Sequence, residues 1–195
     1  MKIGAVLLAA GRSERFGGED KLLADFEGKP MICRALGTMS ALPVFRKCVI
    51  AGSDQVSALA GEYGFDVIRN RAQQLGQSHS ICLGVSAMRD MDAVLVLVAD
   101  QPRLSRESVA RLLEAFCASG KGMACLRDKT HRGNPAIFSS KYIPDLLALS
   151  GDRGAKGILR AHEEDLLVVD CIEEDELSDA DTPQALESIV TARNK

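Results

Sequence analysis

Residues 93–98 read Ala-Val-Leu-Val-Leu-Val, an apolar run with no polar residue at alternate positions. A strand of this kind must be covered on both faces, as in a parallel sheet flanked by helices. Residues 3–8 repeat the pattern, and residues 47–51 and 65–68 give shorter versions. Helical stretches lie between them. Residues 30–41 begin with a proline suited to a first turn. Residues 54–63 have Asp54 as an expected cap, and residues 78–88 start at Ser78. Residues 105–118 open with Ser105, Glu107 and Ser108, which supply helix-starting chemistry. The second half mixes short strands at 123–126 and 136–138, around a Gly-Asn-Pro turn, with helices at 141–149 and 155–162. A strand at 166–169 follows, and Thr182-Pro183 opens the last helix. The expected fold is α/β: a single doubly wound, mainly parallel sheet with helices on both faces, in one domain over residues 1–195.

Composition narrows the function classes. The 195 residues carry 24 Lys+Arg against 27 Asp+Glu, a net charge of −3. With no long basic run, a dedicated nucleic-acid binder is disfavoured. No apolar stretch approaches the roughly 18 residues of a membrane span. The N-terminal apolar run is short for a signal peptide and leads into a loop rich in chemistry, so it reads as a strand. The six cysteines form no C-x-x-C pair and sit mostly in apolar segments. They read as reduced, buried side chains of a cytoplasmic protein. The three histidines are too scattered for a His/Cys zinc site.

In an open parallel sheet, ligands bind beyond the carboxyl ends of the strands. The first strand runs into Leu8-Ala9-Ala10-Gly11-Arg12-Ser13-Glu14-Arg15-Phe16-Gly17-Gly18-Glu19-Asp20-Lys21. Small residues let the backbone approach a ligand, and Gly17 and Gly18 permit unusual turns. Arg12, Arg15 and Lys21 add the positive charge a polyphosphate needs. The G-x-x-x-x-G-K-[ST] and G-x-G-x-x-G loops are absent. The run at 93–98 leads into Asp100-Gln101-Pro102. Asp100 either starts a turn or offers a hard carboxylate to Mg²⁺. Asp179 and Asp181, before Thr182-Pro183, either favour a helix N-terminus or face Asp100 across a metal.

These segments together resemble the molybdopterin nucleotidyltransferase-like family, and within it the molybdenum cofactor cytidylyltransferases. Five motifs carry the resemblance in order from residue 8 to 183. They are L-A-A-G-x-S-x-R-x-G…K-L at Leu8 to Leu22, D-x-P at Asp100 to Pro102, and Gly133-Asn134-Pro135. Gly151-Asp152-Arg153-Gly154-Ala155 and the closing Asp179 to Pro183 complete the set. Three features depart from the family pattern. The spacing from Gly17 to Lys21 is one residue longer, with Glu19 or Asp20 extra. Asn134 stands where His is frequent, and Lys156 where Arg is common.

The resemblance implies a nucleotide-diphospho-sugar transferase-like fold and a Mg²⁺-dependent transfer from CTP to the terminal phosphate of molybdopterin or molybdenum cofactor. Arg15, Lys21 and Asp100 would be catalytic. Leu8, Ala9, Ala10, Gly11, Arg12, Ser13 and Lys21 would bind the nucleotide, with Gly76, Ser78 and Ser80 reading the base. Asp100 with Asp181 or Asp179 would hold the metal. Arg132, Gly133, Asn134, Gly151 and Asp152 would meet the acceptor. A molybdoenzyme or its chaperone would be the protein partner. The competing readings are a GTP-using or sugar-phosphate nucleotidyltransferase of the same fold, and a non-catalytic cofactor-binding assembly partner. A flavin or nicotinamide redox protein would share the sheet, but a dinucleotide fingerprint is absent.

Overall fold

The computed structural model describes residues 1–17, 20–129 and 131–192. Gly18 and Glu19, included in the phosphate-loop expectation, lie outside the described residues. Strand β1 (Ile3–Ala9) leads through a loop into a two-residue hairpin, β2 (Asp25–Phe26) with β3 (Lys29–Pro30). Then come α1 (Ile32–Ser40), β4 (Arg46–Ala51), α2 (Asp54–Glu62), β5 (Asp66–Arg69), α3 (Gln77–Ala87), β6 (Ala93–Val98) and α4 (Arg106–Ser119). The second half supplies β7 (Met123–Arg127), β8 (Arg132–Ser139), α5 (Ile143–Leu147), α6 (Lys156–Ala161), β9 (Leu166–Asp170) and α7 (Pro183–Ala192).

Seven strands form one sheet in the order β5-β4-β1-β6-β8-β7-β9. All run parallel except β8, which is antiparallel to both neighbours. The period-two geometry of a strand explains its unalternating sequences. Along β1, Ile3, Ala5, Leu7 and Ala9 enter one core cluster with α1, α2, α4 and α7. Val6 and Leu8 enter the other, with α3, α5 and α6. Strand β6 divides in the same way, Leu95 and Leu97 against Val94 and Val96. Helix α3 lies close on β1 because Gly84 has no side chain there. A Cβ at that position would stand 2.3 Å from Val6 Cγ1.

Several local expectations are corrected. Helix α2 is capped by Ser53, whose Oγ accepts the Val56 N–H at 3.3 Å, and Asp54 is its first residue. Helix α3 begins one residue before Ser78, and its cap position is Gly76. The Gly133-Asn134-Pro135 segment is no turn. It lies inside β8, with a cis peptide before Pro135 and a register shift opposite Cys125 and Leu126. Pro30 sits in the hairpin rather than in α1. Residues 141–149 contain only a short turn and the five-residue α5, which starts beside Pro144. Ser105 does cap α4, accepting from the Ser108 N–H, and Thr182 Oγ1 accepts from the Ala185 N–H. Among the described residues, no helix is long and apolar enough to cross a membrane.

Asp165 fastens the entry to β9. It accepts from the Gly122 N–H at 2.9 Å and the Tyr142 hydroxyl at 2.8 Å, and pairs with Lys141 at 2.6 Å. The Lys141 hydrogen bond first, then the Gly122 N–H, hold its pKa at about 2. A depressed carboxyl stabilises only while ionised. Asp165→Asn is therefore expected to cost about 2 kcal/mol near neutral pH. The difference from wild type should fade as pH falls from about 4 towards 2. Urea titrations across that range test this; a deficit constant with pH would refute the ionic origin.

Candidate active site

The sheet's connections diverge between β1 and β6. Strand β1 leads outward to β4 on one side, and β6 leads to the β8 side on the other. Such a switch point leaves a crevice beyond the carboxyl ends of the two strands. Here it opens into a cavity of about 500 Å³. Leu8, Ala10, Gly11, Arg12, Ser13, Arg15 and Lys21 line it from the first loop. Gly76, Ser80, Asp100, Gly151, Asp152 and Asp181 line it from elsewhere.

The loop after β1 is held at several points. Ser13 has a left-handed backbone, and its Oγ accepts the Lys21 N–H at 3.1 Å. Asp20 caps the turn Lys21–Leu23 by accepting the Leu22 N–H, and its other oxygen accepts the Ser53 hydroxyl at 2.9 Å. Leu22 is buried in the core. These contacts carry Lys21 inward. Its Nζ lies 2.7 Å from Asp100 Oδ2 and 2.8 Å from Asp181 Oδ1. Arg15 reaches the other oxygen of Asp181 at 3.4 Å. A solvated loop lysine would contribute little to folding; Lys21 is instead buried and paired twice.

Burial alone would lower the Lys21 pKa, but the charge and hydrogen bond of Asp100, with those of Asp181, hold it above the ordinary lysine value. The hydrogen bond from Lys21 in turn lowers the Asp181 pKa. Asp100 and Asp181 thus converge on one cation. Two hard carboxylates on one point, beside room for phosphate oxygens, are the donor set that suits Mg²⁺.

Asp179 lies close enough to Asp100 and Asp181 to feel their charge, but it makes no bond to Lys21. It accepts a hydrogen bond from Gln101 Nε2 at 3.0 Å. Its pKa is raised, first by the protein crowded round its carboxyl and then by the charge of Asp100. Of the two expected metal carboxylates, Asp181 is the one brought to Lys21 and Asp100. The segment is tied to the site through the backbone, the Ala180 N–H donating to Asp100 O at 2.8 Å.

The far wall joins α3 to residues 151–152. Ser78 donates its hydroxyl to Gly151 O at 2.6 Å, and the Gln77 N–H donates to Asp152 Oδ1. Ser78 is buried and does not line the cavity, so its hydroxyl is not offered to a base. Gly76 has φ +83°, and a Cβ there would stand 2.6 Å from Gly151 backbone atoms, so only glycine fits. Ala9 is also turned away, packed in the core beneath the sheet, while Ala10 lines the cavity. Arg132 is exposed and pairs with Glu163 at 2.6 Å, and neither Gly133 nor Asn134 lines the cavity. Sequence reasoning missed Gln73, Gln74 and Leu75, which form a turn in the wall.

Residues 5–166 match the sequence profile of the MobA-like NTP transferase domain. The chain belongs to this family. It is 29% identical over 157 residues to a probable molybdenum cofactor guanylyltransferase of Pyrococcus horikoshii, covering 80% of this chain and 78% of that one. It is 27% identical to the nicotine blue oxidoreductase of Paenarthrobacter nicotinovorans, covering 94% of each. It is 30% identical over 150 residues to the 2-C-methyl-D-erythritol 4-phosphate cytidylyltransferase of Dehalococcoides mccartyi. That match covers 73% of this chain but 66% of the longer relative. Among solved structures, a nucleotidyl transferase from Methanothermobacter superposes with a TM-score of 0.80 at 25% identity, covering 100% of this chain and 99% of that one. The MobA-like chain is therefore a nucleotidyltransferase by family, and nucleotidyltransferases generally use a divalent metal ion. Its relatives carry both guanylyl and cytidylyl names, so family membership leaves the base open.

Proposed function

We propose that this chain transfers the cytidylyl group of CTP to the terminal phosphate of molybdopterin or its molybdenum form, with Mg²⁺. The observation that carries this reading is the convergence of Lys21, Asp100 and Asp181 at the wall of the switch-point cavity. Asp100 and Asp181 would hold the cation, which supplies neutralisation of the triphosphate's charge. Lys21 and Arg15 would meet phosphate oxygens, and the backbone N–H groups of residues 10–13 would add to them. An acceptor phosphate oxygen attacks the α-phosphorus as the bond to the bridging oxygen breaks, and pyrophosphate leaves. Rate comes from positioning and charge stabilisation.

Ala10 would lie beside the base, with Gly76 and Ser80 opposite, and its methyl, where a glycine would leave more room, favours the smaller cytosine. Gly151 and Asp152, which also line the cavity, would meet the acceptor. The product would pass to a molybdoenzyme or its chaperone. Pyrophosphate release with molybdopterin, Mg²⁺ and each of CTP, GTP, ATP and UTP tests the reading. Fastest release with CTP is expected. Fastest release with GTP would refute the base assignment and keep the chemistry. No release with any nucleotide would refute the acceptor.

A further inference from the structure

Asn70 follows directly after β5 and is almost fully buried, at 1% exposure. It does not line the cavity. Its hydrogen bonds fix which way its amide faces. The Ala72 N–H can only donate, so the atom 2.8 Å from it is the oxygen, Oδ1. Nδ2 is thereby turned to Ser80, whose Oγ lies 2.9 Å away. An amide N–H can only donate, so the Ser80 oxygen is the acceptor in that bond. The Ser80 proton must then point elsewhere. A helical serine often returns its proton to the carbonyl four residues back. No such bond joins Ser80 Oγ to the Gly76 carbonyl, which accepts the His79 N–H at 3.3 Å. Among the described residues, Asn70 is the one hydrogen-bond partner of Ser80 Oγ. Ser80 lines the cavity wall.

We infer that Asn70 is a positioning residue that, by donating to Ser80 Oγ, leaves the Ser80 proton free to be given to the nucleotide base. The inference rests on the reading of Ser80 as a base contact. A proton left free in this way can be given to a keto oxygen of the base. Cytosine, uracil and guanine carry one; adenine carries an amino group instead, which the second lone pair of Ser80 can accept. Asn70, outside the cavity, therefore maintains the donor that a keto base needs.

Asn70→Asp tests this with little change of shape. The carboxylate still accepts from Ala72, but its second oxygen can only accept, so the Ser80 proton turns to it and a lone pair faces the cavity. Equilibrium binding of CTP, GTP and ATP with Mg²⁺ to the full chain is the measurement. In Asn70→Asp, CTP and GTP should weaken about tenfold or more, with ATP affected far less. Because each ratio is taken on one protein, partial unfolding scales all three nucleotides alike and does not mimic the result. Asn70→Ala, which frees the hydroxyl to rotate, should give a smaller fall in the same ratio. Equal weakening of all three nucleotides or an unchanged ratio overturns the inference. Ser80→Ala separates the two levels. If it leaves the pattern untouched, Ser80 does not read the base and the underlying reading fails. If it changes the pattern while Asn70→Asp does not, the role of Asn70 alone fails.

Discussion

Asp100→Asn is expected to lower turnover by about a thousandfold or more while leaving the fold nearly as stable as wild type. The carboxylate stands just past the end of β6, with Oδ2 2.7 Å from Lys21 Nζ. Asparagine keeps its volume and can still accept from Lys21, so packing and one hydrogen bond survive. The backbone bond from Ala180 N–H to Asp100 O does not involve the side chain. What disappears is a negative charge at the point where Asp100 and Asp181 converge. A divalent ion bound by two carboxylates depends on that charge, while a folded loop held by Ser13, Asp20 and Leu22 does not. Steady-state pyrophosphate release and a urea titration on the same preparation check both halves. Activity within tenfold of wild type would remove Asp100 from the metal assignment. A large loss of stability would mean that the ion pair with Lys21 serves the fold first.

The sequence made some of this site legible because chemistry in parallel sheets is tied to strand ends. Reading 3–8 and 93–98 as doubly covered strands already places residues 10–21 and Asp100 at one edge. Only the sheet order makes them neighbours, because it sets β1 beside β6. Local readings failed where one residue has two roles by type. Ser53 and Asp54 are both good caps, and only the offset to the Val56 N–H decides between them. Ser78 suits a cap as well as a buried hydroxyl bound to Gly151 O. Gly-Asn-Pro suits a turn as well as an irregular strand with a cis peptide. Asn70 and Glu176 left no trace in the sequence pattern. Each acts through backbone N–H groups or hydroxyls that no motif spacing records.

Glu176→Gln is expected to destabilise the fold by about 3 kcal/mol. Glu176 is 1% exposed, yet both its oxygens are fully engaged. Oε2 accepts the N–H and the hydroxyl of Ser105, each at 2.9 Å. Oε1 accepts the Ser108 hydroxyl and the Glu173 N–H, each at 2.8 Å. All this lies at the first turn of α4, where a negative charge also suits the helix dipole. Glutamine has one accepting atom where four donors converge. Whichever way it turns, its amide nitrogen faces an N–H that cannot accept, and that N–H is left buried without a partner. The clasp also sets the site. Residues 177–181 follow directly from Glu176 and carry Asp181 to Lys21. Loosening the clasp should therefore lower kcat as well as the urea midpoint, without changing the slope of unfolding. Glu176→Asp, which keeps the charge but shortens the reach, should recover part of the stability. A midpoint equal to wild type in Glu176→Gln would show that the four donors have other partners. A lower midpoint with unchanged kcat would show that residues 177–181 hold Asp181 in place without the clasp.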